Sequence, residues 1–461
     1  MGKLRQSGGR RHRVGSIHPA ALFRPGMRSG TRIACVAALA LLVAGCGGRA
    51  RGLFGAEQSE TAPGTSRVEM LVATTRKLSA ENPADMFSGD RGPRLQFADI
   101  AISVPPDAVR EIGEVQWPSK LPADPAKEFA VLKARSVDLP EARKAFGRLV
   151  AQHGKRRAFV FVHGYNNRFD DAVFRFAQIV HDSQAPGAAV LFTWPSRGSL
   201  LGYTYDREST NYSRDALEQV LRAIMATPHV EEVSILAHSM GNWLTLETLR
   251  QMSIRDGRLP LKLKNVMLAA PDVDVDVFRT QIDQIKPRPD QFTLFVSQDD
   301  RALAFSRSIW GSTARLGAID PSAEPFRSSL ERDGIRVIDL TKLNSGDSLN
   351  HGKFAESPEA VRLIGNRLAQ GQDVGGGQAG GVSTALTRLA TGAASTVGHA
   401  ATLAISVPLS VVDQQAREDL DERVEALGGS IGETVSAPLG GMRMGGKVDG
   451  KATPKNPEGG D

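Results

Sequence analysis

With 461 residues, of which 41% are hydrophobic and 23% charged, the chain has the make-up of an ordinary globular protein and can bury a full core in one large or two smaller domains. Its net charge of +6 would suit a nucleic-acid binder, but Lys3, Arg5, Arg10, Arg11, Arg13, Arg24, Arg28 and Arg32 all precede Cys46 without a single acid among them. Removing these eight cations leaves −2, and no basic stripe with interleaved aromatics remains, so the composition argues against a nucleic-acid partner.

Ile33 to Ala44 is an apolar run of signal-peptide length, too short for the ~20 residues that cross a bilayer. It leads into Val43-Ala44-Gly45-Cys46, which resembles the lipobox of bacterial lipoproteins. The resemblance implies cleavage before Cys46, acylation of its thiol and a lipid anchor in the cell envelope. Gly47 stands where an inner-membrane retention signal has aspartate, which points to the outer membrane facing the periplasm. A plain signal peptide with an incidental cysteine is the alternative, and Met27 offers a second possible start. Cys35 falls within the discarded run, leaving Cys46 as the cysteine of the mature chain, so neither a disulfide framework nor a cysteine metal site is expected.

Residues 46–66 are rich in Gly, Ala, Ser and Thr and read as a flexible tether. Val68 to Thr74, Ile100 to Val104 and Phe129 to Leu132 then read as strands between Pro and Gly loops. A regular alternation follows: strand Ala158 to Val162, helix Asp171 to His181, strand Ala188 to Phe192, helix Arg207 to Met225 and strand Val233 to Leu236. Beyond it, Val266 to Ala269, Phe292 to Val296 and Ile335 to Ile338 are strand candidates, with helices at Val275 to Ile285, Arg301 to Trp310 and Pro358 to Leu368. Apolar strands alternating with helices predict an α/β domain over 67–369, a mostly parallel doubly wound sheet covered by helices on both faces. Sites in such sheets lie at the carboxyl ends of strands. Residues 370–461 form a Gly- and Ala-rich appendage, too broken by Gly392, Gly398 and Pro408 to read as a membrane helix.

Ala237-His238-Ser239-Met240-Gly241 places a serine between small residues at a strand-to-helix turn, where a hydroxyl is held exposed as a nucleophile. Serine needs a base, and the base needs an orienting carboxylate, expected later in the chain in the order acid then histidine. Of nine histidines only His351 and His399 follow Ser239; His399 sits in the appendage, which leaves His351. Ser297-Gln298-Asp299-Asp300 ends a predicted strand, so Asp300 ranks first as the acid and Asp299 second, with Asp272 one strand earlier as third. Asp272, Asp274 and Asp276 superficially resemble a calcium loop, but the turn glycine and distal glutamate are missing, and neither metal nor cofactor is expected. His163-Gly164-Tyr165 follows another strand, where the Tyr165 N–H, with that of Met240, is positioned to serve as an oxyanion hole. His163, Gly164, Trp194 and Ser196 are expected around the pocket, with His163 stabilising the turn.

Five blocks together resemble a bacterial family within the α/β-hydrolase superfamily, catalogued as a domain of unknown function and labelled esterase- or lipase-like. They are His163 to Asn167, Trp194 to Gly198, Tyr205 to Ser209, Ala237 to Asn242 and Ser297 to Leu303. The resemblance implies an α/β-hydrolase fold and a triad of Ser239, Asp300 and His351; Ala237 departs from the usual glycine. The resulting expectation is a lipid-anchored serine hydrolase acting on a small-molecule or lipid ester, with thioesterase, amidase and acyltransferase activities open to the same machinery. The short segment between Ala269 and Phe292 leaves no room for a large lid, which favours small or exposed acyl groups. The competing expectation is a hydrolase scaffold serving as a non-catalytic envelope interaction protein.

Overall fold

The computed structural model describes residues 49–57, 61–152, 156–309, 313–344 and 347–370. The expected signal segment, Cys46 and residues 371–461 lie outside them. The chain divides at residue 50 into two units, and the sheet with its helices belongs to the second.

Nine strands form one sheet: β1 (Ser66–Leu78), β2 (Phe87–Val104), β3 (Ala130–Val137), β4 (Arg157–Val162), β5 (Ala188–Thr193), β6 (Glu232–His238), β7 (Leu263–Ala269), β8 (Phe292–Val296) and β9 (Arg336–Asp339). Their order is β3-β2-β1-β5-β4-β6-β7-β8-β9. The β1–β2 and β2–β3 pairs are antiparallel, and all others are parallel. From β4 the chain steps to β5 on one side, then returns past β4 to β6 on the other. That reversal opens a crevice at the carboxyl ends of β4 and β6.

Alternate strand residues set the two faces. Leu71, Val160, Val190, Ile235, Leu268 and Leu294 pack against helices Leu139–Gln152, Tyr203–Ala226, Met240–Asp256 and Val275–Ile285 in one continuous core. On the other face Phe159 and Phe161 meet Phe176 of helix Phe169–Asp182 at centroid distances of 5.5 and 5.4 Å. Helix Pro358–Gln370 packs beside it, so close that a Cβ on Gly365 would stand 2.2 Å from the Ser183 carbonyl oxygen. The sheet is therefore covered on both sides, the α/β architecture expected.

Helix Val275–Ile285 and β8 fall where the periodicity put them. Strand β2 is far longer than its predicted Ile100 to Val104 core, because Gly89, Gly92 and Pro93 mask its first half. Gly92 is required there: a Cβ would lie 2.5 Å from the Arg76 carbonyl, where the β1–β2 register shifts. Helix Leu139–Gln152 was not expected, although Ala142, Ala145, Phe146, Leu149 and Val150 recur at helical spacing and are buried. Within the stretch read as a tether, Leu53 and Phe54 are buried in a short turn, Phe54 lying 5.2 Å from Phe169. Taking two large apolar side chains out of water holds this part of the stretch against the domain.

Candidate active site

Helix Met240–Asp256 starts directly from β6, so the residue at the junction must reverse the chain in one step. Ser239 does so at φ 52°, ψ −121°, a region costly for a residue with a side chain. Four backbone and side-chain bonds fix the turn. The Ser239 N–H donates to the Ala269 carbonyl (3.0 Å), the Asp272 N–H donates to the Ser239 carbonyl (3.2 Å), and Asn242 Nδ2 donates to both the Ser239 (3.0 Å) and Ala269 (2.8 Å) carbonyls. Small residues are obligatory around it. A Cβ on Gly241 would lie 2.3 Å from the His163 carbonyl oxygen, and one on Gly164 would lie 2.8 Å from the Cβ of Ser239. The turn after β4 is thus pressed onto the serine. Met240 is the first residue of its helix, whose opening N–H groups have no partner within the helix.

The loop after β9 brings His351 to the same rim. Its Nδ1 donates to Asp300 Oδ2 at 2.7 Å, and Asp300, fully buried at its side chain, accepts the Leu303 N–H on Oδ1 at 2.9 Å. Burial pulls the imidazole of His351 down, but the charge and hydrogen bond of Asp300, helped by Asp347, outweigh it and raise its pKa. Asp347 also accepts the backbone N–H groups of His351 (2.9 Å) and Gly352. Asn350, at φ 58°, supplies the left-handed step that turns the loop.

The three candidate acids have separate places. Asp300 meets His351. Asp299 faces the other way and accepts both 2.8 Å bonds from the buried Lys353 ammonium and a 3.0 Å bond from Asn350 Nδ2, tying the β8 loop to the His351 loop. Asp272 lies beneath them, accepting hydroxyl protons from Tyr203 and Ser306, each at 2.6 Å, with Arg315 Nε at 3.5 Å. Its neighbour Asp274 caps the next helix by accepting the N–H groups of Asp276 and Val277, so the three aspartates do not converge. Among the described residues no group of three or more His, Cys, Asp or Glu side chains could hold a metal ion.

His163 is buried and its hydrogen bonds fix one tautomer. Nδ1–H donates to the Gly164 carbonyl (2.8 Å), while Nε2 accepts from the Trp194 N–H (3.1 Å) and lies 2.9 Å from Thr193 Oγ1. Burial and the Arg76 charge hold its pKa well below the ordinary imidazole range, so the ring is neutral and supports the turn. Trp194 is fully buried, stacked on His163 at 4.9 Å, and Ser196 is equally buried, donating to Asp206 at 2.5 Å. Both lie within the wall behind the turn. Tyr165 donates its hydroxyl to the Ser199 (3.2 Å) and Leu200 carbonyls and rests on Tyr203, which ties its backbone to the β5 loop.

Residues 140–367 match a family described as "Alpha/beta hydrolase of unknown function (DUF900)". This segment belongs to that family. The chain is also 25% identical to an uncharacterized protein of Nostoc sp. over a stretch covering 23% of this chain and 34% of that relative, so the chain spans about a third of the curated relative it matches. Among solved structures, an esterase of Pyrobaculum calidifontis is 12% identical and covers 74% of this chain and 93% of its own, with a TM-score of 0.28. Fungal esterases of Rhizomucor miehei are 11% identical, covering 76% of this chain and 97% of their own, with the same TM-score.

Two residues of the hydrolase site were not foreseen from sequence. Arg76, at the end of β1, is completely buried, and its guanidinium donates to Thr193 Oγ1 (2.8 Å) and to the carbonyls of Ser196 (2.8 Å), Asn167 (2.7 Å) and Ser88 (3.3 Å). Burial lowers its pKa to about 10 against the pull of Asp206, Asp171 and Asp170. It clamps the loops after β4 and β5 together. His238, beside the nucleophile candidate, lies 4.7 Å from the His351 ring and 4.5 Å from Phe354, and its Nε2–H donates to the His351 carbonyl at 3.4 Å. Burial and the neighbouring His351 hold His238 neutral. The histidine inside the elbow motif is a visible signal in the sequence, but the order serine, acid, histidine directs attention only to histidines after Ser239.

Proposed function

We propose that this hydrolase domain cleaves carboxylic esters through Ser239, His351 and Asp300, on a chain anchored to the bacterial envelope through a lipidated Cys46. The observation that carries the catalytic reading is the 2.7 Å bond from His351 Nδ1 to the buried Asp300, on the loop whose histidine ring meets that of His238, next in sequence to the strained Ser239. With Nδ1–H committed to Asp300, Nε2 is the nitrogen that accepts the Ser239 proton.

In the first step Ser239 Oγ bonds to the ester carbonyl carbon as its proton passes to His351 Nε2, and the carbonyl electron pair moves onto oxygen. The N–H groups of Tyr165 and Met240 stabilise that oxyanion, where each donor contributes ~2.7–4 kcal/mol in comparable sites. The C–O bond to the alcohol then breaks as His351 returns the proton to it. A water deprotonated by His351 cleaves the acyl-enzyme, releasing the carboxylate and restoring Ser239.

Labelling with a fluorophosphonate tests the assignment. The wild-type chain should react and Ser239→Ala should not; equal labelling of both removes Ser239 from the mechanism. For the anchor, metabolic incorporation of an alkynyl fatty acid should disappear in Cys46→Ser, and its persistence would place any acyl chain elsewhere.

A further inference from the structure

A large apolar groove lies away from this site, its lining sharing no residue with the Ser239, Asp300 and His351 cluster. Helices Leu139–Gln152 and Tyr203–Ala226 both pack on the same sheet face but stand apart over β1, β2 and β5, leaving a groove of about 1150 Å³. Its floor is Leu71, Leu95, Phe97 and Val190, and its walls include Phe146 and Ile224. Leu78 and Leu139 remain 48% and 45% exposed at its mouth. Apolar surface concentrated in a concavity above the usual ~300–1,000 Å³ of a ligand pocket stands out from the ordinary scatter of exposed apolar residues. The groove follows β1 from Leu71 to Leu78, about 23 Å at the ~3.3 Å rise of a strand, and is closed below by Thr227 and Pro228.

The charge at the mouth selects the occupant. Arg94 and Arg143 both line the groove and are exposed, and neither has an ion-pair or hydrogen-bond partner among the described residues. Asp138, the carboxylate in the lining, is already engaged, its Oδ1 accepting the Glu141 N–H at 2.9 Å where it caps the helix. Two unpaired guanidiniums above a long apolar slot suit one carboxylate on one alkyl chain. The geometry points to a binding site for a single long-chain fatty acid, tail along β1 and head between Arg94 and Arg143. It is separate from the Ser239 rim and does not depend on the esterase reading. A second copy of the chain would instead need a broad complementary face, and a concave slot between two helices offers none.

Equilibrium binding of radiolabelled palmitate, below its micelle concentration, to the full chain tests this. One saturable site per chain is expected. Ala223→Trp fills the slot from an exposed helix position without disturbing buried packing, and should abolish binding while leaving thermal unfolding and fluorophosphonate labelling unchanged. Replacing both Arg94 and Arg143 by Ala should weaken palmitate about tenfold or more and leave hexadecanol, which lacks the charge, unaffected. No saturable site, or binding indifferent to Ala223→Trp, overturns the proposal. So does binding that is absent from the full chain and gained on deleting residues 371–461, which would assign the groove to the chain's own tail. A dimer that Ala223→Trp dissociates, with no palmitate bound, overturns it equally.

Discussion

Replacing Asp300 by Asn changes one atom type and reverses a proton. In the native pair Oδ1 accepts the Leu303 N–H at 2.9 Å and Oδ2 accepts the proton of His351 Nδ1 at 2.7 Å. An asparagine has one acceptor, and the fixed helix N–H of Leu303 claims it. The amide NH₂ then faces His351 and can only donate, so Nδ1 must become the acceptor and the ring proton moves to Nε2. That is the nitrogen needed to take the Ser239 proton, and the base is lost. A tautomer error of this kind in a serine triad costs about 10⁴ in kcat, or ~5 kcal/mol at 1.36 kcal/mol per tenfold. Shape and the Leu303 bond survive, so stability should fall by only about 1 kcal/mol. The assay is kcat/KM on a short aryl ester together with thermal unfolding. A folded Asp300→Asn enzyme within tenfold of wild type would refute both the tautomer argument and the role of Asp300.

Three further outcomes follow from the same geometry. Because Asp300 and Asp347 raise the pKa of His351 over the opposing effect of burial, the neutral base forms only above the ordinary imidazole value of about 6.5. The acid limb of kcat/KM against pH should therefore lie above 6.5, and a limb below it would contradict the pairing. Arg76→Ala strips four acceptors of their donor inside the fold and should cost at least ~3 kcal/mol in urea unfolding, with weaker fluorophosphonate labelling as the β4 and β5 loops part. Gly241→Ala forces a methyl group against the His163 and Val162 carbonyls, 2.3 and 2.7 Å away, and should lower stability by ~1–3 kcal/mol and slow labelling; an unchanged melting temperature would show that the helix can withdraw from β4 without cost.

What was legible in the sequence was local or ordered. The elbow around Ser239 is five consecutive residues in which Gly241 is dictated by a backbone contact, and the strand–helix alternation around it repeats with little interruption. The choice between Asp299 and Asp300 was not decidable by spacing, since both end the same strand; their division of labour is made by Lys353, more than fifty residues away, which holds Asp299. Arg76 was illegible for a different reason. Thr74-Thr75-Arg76-Lys77 reads as the solvated end of a strand, and only the fold reveals that β1 lies between β2 and β5 and buries it. The first half of β2 was hidden by glycines that a strand ordinarily avoids and this one needs at its register shift.

Strand β1 ends at Leu78, well before the residue 140 at which the family match begins. Yet it completes the hydrogen bonding of β5, pairing Met70 to Thr74 with Ala189 to Thr193, and carries the guanidinium that joins the two loops beside the serine. A recombinant fragment trimmed to the family limits would bare the flank of β5 as a template for intermolecular strand addition. The portable hydrolase of this chain therefore begins no later than Ser66, and transplanting it or fusing it to another protein requires the amino-terminal hairpin to travel with it.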